Sequence, residues 1–317
     1  MPPDRDGVGP SCVALPPGSW PTVLDFLASR FPHVTRMQWL ARMRRGDVLD
    51  ADGAPLAPDS RYRPHAKIHY YRDLPAEAKI PFEAAVLFQD DYLVVADKPH
   101  FLPVTPSGRY LQETLLVRLK RRLGIATLAP MHRLDRETAG LVLFSIRPET
   151  RDRYQALFRD RAVKKRYEAI APWRADLQFP RVHRSRLRQS AAFMRMEEVA
   201  GAPNAETTIE LLEIRGELAR YALLPTTGQK HQLRVHLNEL GIPILHDRIY
   251  PAHAPQPDEG AEDYRQPLQL LARTLEFLDP VSGQRRRFES RLRLDFPDAD
   301  AHDRHCFHEN RYRQHTP

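Results

Sequence analysis

The sequence has only two cysteines, Cys12 and Cys306, which lie near opposite ends of the chain in polar surroundings. Such a pair excludes the disulfide framework of a small secreted domain and indicates a reducing compartment. No apolar run approaches the roughly 20 residues that a membrane helix needs. The N-terminal stretch also lacks the basic start and apolar segment of a secretory signal. We therefore expect a cytoplasmic protein without a membrane segment.

Standard phosphate- and metal-binding motifs are missing as well. Thr227–Lys230 lacks the glycine spacing of a phosphate-binding P-loop. The spacing of His231 and His236 differs from the i, i+4 pair of a helical zinc site. Four residues near the C-terminus match no standard zinc spacing either: His302, His305, Cys306 and His308. The sequence therefore predicts no metal site.

What is present is a globular composition with an excess of positive charge. The 317 residues are 42% hydrophobic and 28% charged, and they suffice for two domains. The formal net charge is +7, and basic residues concentrate in Arg118–Arg122, Arg151–Arg166 and Arg181–Arg188. Basic clusters of this kind suit a polyanion such as RNA, whereas a solvated helix face is the alternative interpretation of each.

The strongest local signal lies in Met131–Ser145. A polar loop places the carboxylate of Asp135 between Arg133 and Arg136, and the apolar run Leu141–Phe144 then predicts a strand. Nearby positive charge keeps a carboxylate ionised. An ionised carboxylate on a rigid strand edge can accept a proton, hold a cation or act as a nucleophile. A weak ion pair in a surface turn is the alternative.

Four sequence blocks, in a fixed order, resemble the RluA-type pseudouridine synthases. Residues 132–140 read HRLDRETAG, which is similar to the family's catalytic loop HRLD-x-x-T-S-G. The other blocks are Val94–Pro99, Lys164–Ala169 and Pro225–His236, the last of which runs on to Asp247 and Tyr250. The resemblance covers residues 80 to 295. It departs from the family at Ala139, where a serine is usual, and at Leu271, where a histidine is frequent and where we expect core packing.

This resemblance implies an α+β fold, the pseudouridine synthase fold, with a mixed and mostly antiparallel sheet flanked by helices. It also implies an isomerase that converts uridine in RNA to pseudouridine. The catalytic carboxylate would be Asp135, Tyr167 would stack on the uracil, and Arg234 would pair with Asp135. Attack at C1′, attack at C6 and removal of a sugar proton all remain open as the first step. Because the isomerisation involves no net loss of electrons, no cofactor is expected.

The same resemblance assigns supporting roles around the catalytic loop. A base inside folded RNA must be extruded before a carboxylate can reach its sugar, and Arg133 would fill the vacated space. The expected RNA contacts near the site are Arg133, Arg136, Lys164 and Lys165. The residues expected to shape the loop are His132, Leu134, Thr138 and Gly140.

The N-terminal part is similar to the small S4-type RNA-binding module. A basic helix over Met37–Arg45 is followed by a turn at Asp52–Gly53, although this turn is one residue longer and more acidic than in the module. Its expected phosphate contacts are Arg36, Arg42, Arg44 and Arg45. A small packing domain without RNA contact is the alternative. The predicted organisation is a flexible leader at 1–18, the S4-like module at 19–75, the catalytic domain at 80–297 and a polar tail at 298–317.

These observations predict a monomeric RNA pseudouridine synthase. Ribosomal RNA is the favoured target, since an S4-like module usually accompanies that choice in the family, and transfer RNA is the alternative. Two other functions fit the same residues. One is a non-catalytic RNA-binding or ribosome-assembly protein with this fold, and the other is a nucleosidase that releases free uracil.

Overall fold

The computed structural model describes residues 2–72, 77–192, 195–251 and 263–297. The chain divides into two compact units, of which the first contains residues 1–79 and 105–127, and the second contains residues 80–104 and 128–317. The predicted polar tail, with its histidines and Cys306, lies outside the described residues. Within the described ranges, no helix has the length and hydropathy needed to cross a bilayer.

The first unit combines three short strands with three helices. These are β1 (Ser11–Ala14), α1 (Val23–Arg30), α2 (Arg36–Arg44), β2 (Val48–Leu49), β3 (Lys67–Tyr70) and α3 (Leu115–Leu123). The strands form an antiparallel sheet in the order β1-β3-β2. Helix α2 begins with a capping box, in which the side chains of Thr35 and Gln38 each accept a hydrogen bond from the other's backbone N–H. The buried ring of Trp39 lies at the centre of the unit's apolar core.

Two predicted boundaries of this unit need correction. The segment 1–18, expected as a flexible leader, contains β1, which pairs with β3 in the register Val13↔Ile68. The prediction missed β1 because its partner strand lies far along the chain, and four residues carry little periodicity of their own. The second correction concerns residues 105–127, including α3. They were expected in the catalytic domain, but they cluster with the first unit.

The second unit is built on one large sheet. Its strands are β4 (Ala85–Gln89), β5 (Leu93–Lys98), β6 (Ala129–Pro130), β7 (Ala139–Ser145), β8 (Lys164–Pro172), β9 (Arg181–Gln189), β10 (Met196–Val199), β11 (Ala205–Arg215), β12 (Leu218–Pro225), β13 (Leu270–Leu278) and β14 (Arg285–Glu289). Its helices are α4 (Arg151–Arg159) and α5 (Gln232–Glu239), with a 3-10 turn at Pro148–Thr150.

The strand order in this sheet is β10-β9-β11-β12-β8-β13-β7-β5-β4, with β14 beside β13 and β6 beside β7. Among the described strands, β7 and β13 are the only parallel pair, and all other pairs are antiparallel. The predicted α+β class, with a mixed and mostly antiparallel sheet, is therefore confirmed.

Strand β7 fixes the end of the predicted catalytic loop in the middle of this sheet. All seven of its residues are buried, because β5 and β13 pair with it on either side. Gly140 has a φ of +110°, and a Cβ at this position would overlap the backbone of Ala272. Only glycine combines this backbone conformation with so close an approach of the neighbouring strand.

Helix α5 is buried on nearly every side, which holds its polar residues in place. Leu233 and Leu237 pack in one apolar cluster, and Val235 packs in another. Gln232 uses both ends of its amide: its nitrogen donates to Glu206 O and Thr207 Oγ1, and its oxygen accepts from Thr227 Oγ1 and Gln229 N. The helix is therefore locked to β11 and to the loop that precedes it.

The basic cluster Arg181–Arg188 is strand β9, not the helix face that was one interpretation of it. Its side chains alternate in exposure along most of the strand, because successive residues of a strand point to opposite faces. Arg184 and Arg188 on the more exposed face pair with Glu206 and Glu197. Surface pairs of this kind contribute little to stability.

Candidate active site

Asp135 lies in the loop before β7, and its carboxylate faces two side chains of the α5 region. Arg234 Nη1 lies 3.4 Å from Asp135 Oδ2, and His231 Nε2 lies 3.8 Å from the same oxygen. The Asp135 side chain keeps 28% of its surface accessible, whereas that of Arg234 keeps 2%. The carboxylate is therefore reachable from outside while its cationic partner is buried behind it. The structure thus brings Asp135 and Arg234 together.

Arg234 is held in turn by Asp247, whose side chain is fully buried. Its Nε donates to Asp247 Oδ2 at 2.7 Å, and its Nη2 donates to Asp247 Oδ1 at 2.6 Å. Asp247 Oδ1 also accepts from the backbone N–H groups of Ile249 and Tyr250. Burial opposes the charged guanidinium, but the hydrogen bonds and charge of Asp247 outweigh it and raise the pKa of Arg234. The cation beside Asp135 is thus permanently charged and fixed in orientation.

His231 occupies the turn before α5 in a left-handed conformation with a φ of +54°. Its Nδ1 is hydrogen-bonded to Tyr250 Oη at 3.2 Å, while its Nε2 faces Asp135. Burial lowers the pKa of His231 to about 4, although the charge of Asp135 opposes this shift. The imidazole is therefore neutral near pH 7, and the Tyr250 contact directs one of its nitrogens toward the carboxylate.

Tyr167 lies on β8, with its ring packed partly against the apolar cluster around Leu233. Among the described residues, no hydrogen-bond partner is seen for its hydroxyl group. Burial and the nearby charge of Asp135 raise the pKa of Tyr167. The phenol therefore stays protonated, and Tyr167 lines the same cavity as Asp135.

A fully buried lysine, Lys98, is hydrogen-bonded to the loop that carries Asp135. Lys98 Nζ donates to the carbonyl oxygens of Pro99, Leu102 and Arg136 at 3.0, 2.8 and 3.1 Å. Burial lowers the pKa of Lys98 to about 7, against the opposing charges of Glu137 and Asp135. Three carbonyl acceptors match the three N–H donors of an ammonium group. Lys98 therefore ties the loop that carries Asp135 to the end of β5.

The residues predicted to shape the loop form its inner wall. His132 stacks on Phe158 with ring centroids 4.5 Å apart, and its Nε2 accepts a hydrogen bond from Leu143 N. Leu134 and Thr138 are buried, and Thr138 N donates to Asp135 O at 3.2 Å. This backbone hydrogen bond closes the turn between Asp135 and the start of β7.

The predicted RNA contacts near the loop differ in availability. Arg133 and Lys164 are exposed, whereas Arg136 pairs with Glu137 at 2.6 Å. Lys165 Nζ donates to Thr227 O at 2.9 Å, and burial together with the charge of Arg161 lowers its pKa. Arg133 is therefore the most accessible of these cations at the loop itself.

The four arginines predicted as phosphate contacts in the first unit also differ. Arg36 and Arg45 are exposed but paired with Asp25 and Asp47, and Arg44 is exposed. Arg42 is a correction, because it is 8% exposed and its guanidinium lies 4.9 Å from the ring centroid of Trp39. Its helical position turns it toward the apolar core, so it is not a surface contact.

A cavity of about 480 Å³ opens in front of Asp135. Its walls come from the catalytic loop, β8, β13, and the end of β12 through α5: Arg133, Leu134, Asp135, Thr138, Lys165, Tyr167, Pro225, Thr227, Gly228, Gln229, Lys230, His231, Gln232, Leu233, Arg234 and Leu270. Among these described residues, Asp135 is the only carboxylate, while the cations are Arg133, Lys165, Lys230 and Arg234. Such a cavity favours an anionic ligand around a single carboxylate.

Several residues of this site were not assigned a role from the sequence. Asp247 and Tyr250 were noted as the end of the last family block, but their contacts with Arg234 and His231 depend on the fold. His231 was considered only for metal binding. Lys230 stands exposed at the cavity wall. The one sequence signal for Lys230 was its position beside His231 in the last family block.

Comparison with known proteins defines the class. The family described as RNA pseudouridylate synthase matches residues 92–239, a range that includes Asp135, Tyr167 and Arg234. Human RNA Pseudouridylate Synthase Domain Containing 4 has a similar structure, with a TM-score of 0.51 and 29% identity over 69% of this chain and 91% of that chain. The fold is thus that of an RNA pseudouridine synthase.

Two relatives narrow this further. An uncharacterized RNA pseudouridine synthase of Synechocystis is 30% identical, with 72% of this chain and 79% of that protein covered. The dual-specificity RNA pseudouridine synthase RluA of Haemophilus influenzae is 30% identical, with 65% of this chain and 92% of that protein covered. This chain belongs to the RluA-type family of RNA pseudouridine synthases, which are isomerases.

Proposed function

We propose that this protein isomerises one or a few uridines of a structured RNA to pseudouridine, with Asp135 as the catalytic carboxylate. The observation that carries the proposal is the isolation of Asp135. It is the only carboxylate among the described residues of a cavity that four cationic side chains also line, and Arg234 Nη1 lies 3.4 Å from it. The chemistry needs one such group, directed at a sugar and its base.

The reaction breaks the bond between N1 of uracil and C1′ of the ribose, and it forms a bond between C5 and C1′. C5 loses a proton and N1 gains one, so atoms and electrons balance without a co-reactant. Asp135 acts on the nucleotide to open the glycosidic bond, as carboxylates do in other glycosyl transfers. Arg234, fixed by Asp247, holds that carboxylate in place from its buried side.

The cavity fits one extruded nucleotide rather than a helical segment of RNA. A volume of about 480 Å³ lies within the range of small-molecule sites, and duplex RNA is much wider. Tyr167 offers a ring face to the detached uracil, which must turn over before C5 can meet C1′. Stacking suits this step because it does not depend on one orientation of the base.

The cations around the cavity would bind the RNA backbone. Arg133 and Lys230 are exposed at its walls, so their charges can meet phosphates on either side of the extruded nucleotide. Arg133 lies two residues before Asp135 in the loop. This position suits the role of filling the space that the extruded base leaves. Lys164 adds an exposed charge at the start of β8.

The favoured target is ribosomal RNA, with transfer RNA as the alternative. The first unit supports a separate RNA-binding role, since α2 carries the exposed residues Arg36, Arg44 and the adjacent Arg45. An S4-like module of this kind usually accompanies a ribosomal target in the family. The cytoplasmic location and the monomeric state remain predictions.

The test is a transcriptome-wide pseudouridine map from cells with and without the gene, followed by conversion of the identified RNA by purified protein. The affinity of Asp135→Asn for this RNA should lie within about 2-fold of that of the wild type, because the substitution keeps the shape of the side chain. The variant should form no pseudouridine, because the charge of the carboxylate is removed. Asp152→Asn, on the exposed face of α4, is the matched control and should convert normally.

Three outcomes would contradict the proposal. Conversion by Asp135→Asn would remove Asp135 from the chemistry. Release of free uracil would identify a nucleosidase. Tight RNA binding by the wild-type protein without any conversion would identify a non-catalytic RNA-binding protein.

A further inference from the structure

Three potential metal ligands, distant in the sequence, meet beside α5 on the side of the β9–β10 hairpin. They are His183 on β9, Glu198 on β10 and His236 on α5, and one ligand atom from each lies within 4.8 Å of the others. None of them lines the cavity around Asp135. The cluster is therefore separate from the site already described.

The ligand atoms of the three side chains lie close together. His183 Nε2 lies 2.7 Å from Glu198 Oε1, and the rings of His183 and His236 meet edge to face with centroids 4.6 Å apart. The His236 ring is fixed from its other side, where Nδ1 is hydrogen-bonded to Thr207 Oγ1 at 3.0 Å. Its Nε2 consequently faces β9, where Ser185 Oγ lies 3.2 Å away.

This arrangement has the second contacts that metal-binding histidines commonly show. A histidine ligand usually gives its other ring nitrogen to a hydrogen-bond partner, which fixes the ring and its tautomer. For His236 this partner is Thr207, whose Oγ1 also accepts a hydrogen bond from Gln232 Nε2 at 2.9 Å.

We propose that His183, Glu198 and His236 form a binding site for one divalent transition-metal ion, with zinc as the best match. Two imidazoles and a carboxylate are ligands that zinc accepts in tetrahedral sites. The fourth position is open to water or to the Ser185 hydroxyl. In such a site neighbouring ligand atoms lie about 3.3 Å apart. His183 Nε2 and Glu198 Oε1, now 2.7 Å apart, must therefore separate slightly, while any pair near the 4.8 Å limit of the cluster must approach.

Access and charge support the same conclusion. The side chains of His183 and Glu198 are 18% and 21% exposed, so an ion can reach them from solvent, while His236 is buried. A simple ion pair between His183 and Glu198 does not require a second imidazole directed at the same point. The carboxylate offsets part of the charge of a bound cation, which two histidines alone would not do.

A metal in this position would brace the β9–β10 hairpin against α5, the helix that carries Arg234. Strand β10 is the edge of the sheet and is paired to β9 alone. Tyr250 already joins it to the site, because Met196 N donates to Tyr250 Oη at 2.8 Å. The ion would add a second connection and stabilise the folded state, since it binds folded but not unfolded protein.

The test uses the full-length protein, stripped with a chelator and titrated with ZnCl₂ by calorimetry and with CoCl₂ by visible absorption. Wild-type protein should bind one more ion at micromolar concentration than His183→Ala. The substitution Glu198→Gln should lower the affinity for that ion at least 10-fold. Cobalt in the wild-type site should give the intense visible bands of tetrahedral coordination. Glu197→Gln, whose carboxylate pairs with Arg188, is the matched control and should bind like the wild type.

Stoichiometry separates this site from histidines elsewhere in the chain. Zinc should raise the unfolding temperature of the wild type and of Glu197→Gln but not of His183→Ala. Equal stoichiometry and affinity in the wild type and His183→Ala would overturn the proposal. So would the absence of any zinc binding at micromolar concentration in the wild type.

Discussion

Asp247 holds Arg234 by two parallel hydrogen bonds of 2.7 and 2.6 Å, and the third side of the same guanidinium faces Asp135. The carboxylate of Asp135, the proposed catalytic group, is thus positioned by Arg234, which is itself positioned by the fully buried carboxylate of Asp247. Arg234 can place Asp135 only as well as Asp247 places Arg234. This relationship makes Asp247 a positioning residue.

Asp247→Asn should impair both stability and turnover. The variant leaves a buried guanidinium without its paired charge, which costs about 3–5 kcal/mol for a broken buried ion pair. Displacement of the catalytic group by about 1 Å costs on the order of 100-fold in rate. Chemical denaturation gives the first effect, and kcat per folded molecule gives the second. Asp263→Asn, at an exposed pair with Arg265, is the control, and an equally active Asp247→Asn would refute the positioning role.

Tyr167 should contribute to RNA binding through its ring rather than its hydroxyl. Stacking on one base is worth about 1–3 kcal/mol. Tyr167→Leu should therefore weaken the free energy of binding to the target RNA by a similar amount. Tyr167→Phe keeps the ring and should bind within about 2-fold of the wild type. Fluorescence anisotropy with the substrate RNA measures both variants. Equal binding by Tyr167→Leu and Tyr167→Phe would rule out stacking.

Gly140→Ala should be strongly destabilising. The added Cβ would overlap the backbone of Ala272 on the neighbouring strand, and φ is +110°, so we expect a loss above about 3 kcal/mol from overpacking and backbone strain together. Gly216→Ala is the control, because φ is +57° there and no atom lies within 4 Å of the new Cβ. It should cost about 1 kcal/mol. Denaturant titrations compare the two, and similar losses would contradict the close-approach argument.

His132 should make the protein less stable in mild acid. Burial, followed by the charge of Lys165, lowers the pKa of His132 to about 3, against about 6.5 in the unfolded chain. Between these values the unfolded state binds more protons, so stability falls as pH decreases below about 6.5. At pH 5 the loss from this residue is about 2 kcal/mol relative to pH 7.5.

His132→Gln keeps a hydrogen-bond acceptor for Leu143 N and removes the titration. Its free energy of unfolding should therefore fall by about 2 kcal/mol less than that of the wild type between pH 7.5 and pH 5. Other buried histidines contribute equally to both proteins and cancel in the difference. Exposed His33 serves as the control in His33→Gln. A pH profile of His132→Gln parallel to that of the wild type would show that His132 does not titrate in this range.

Much of the second unit could be predicted from the sequence. Strand β7 and the β11–β12 hairpin have strong local patterns and tight turns, so the burial of their residues can be predicted from the sequence. The predicted helix over Met37–Arg45 is shifted by one residue from the observed α2 (Arg36–Arg44), because the capping box of Thr35 and Gln38 sets its start. Strand β1 and the strand nature of Arg181–Arg188 were missed, since both depend on distant partners.

The sequence by itself determined the family and the fold class, and it singled out Asp135 as the proposed catalytic carboxylate, because these are carried by short ordered blocks around Asp135. Only the tertiary structure decided which side chains surround that carboxylate, that Arg42 points inward, and that His183, Glu198 and His236 meet. Local patterns encode burial and backbone preference. Contacts between residues as far apart as Asp135 and Arg234 depend on strand order and register, which no local pattern specifies.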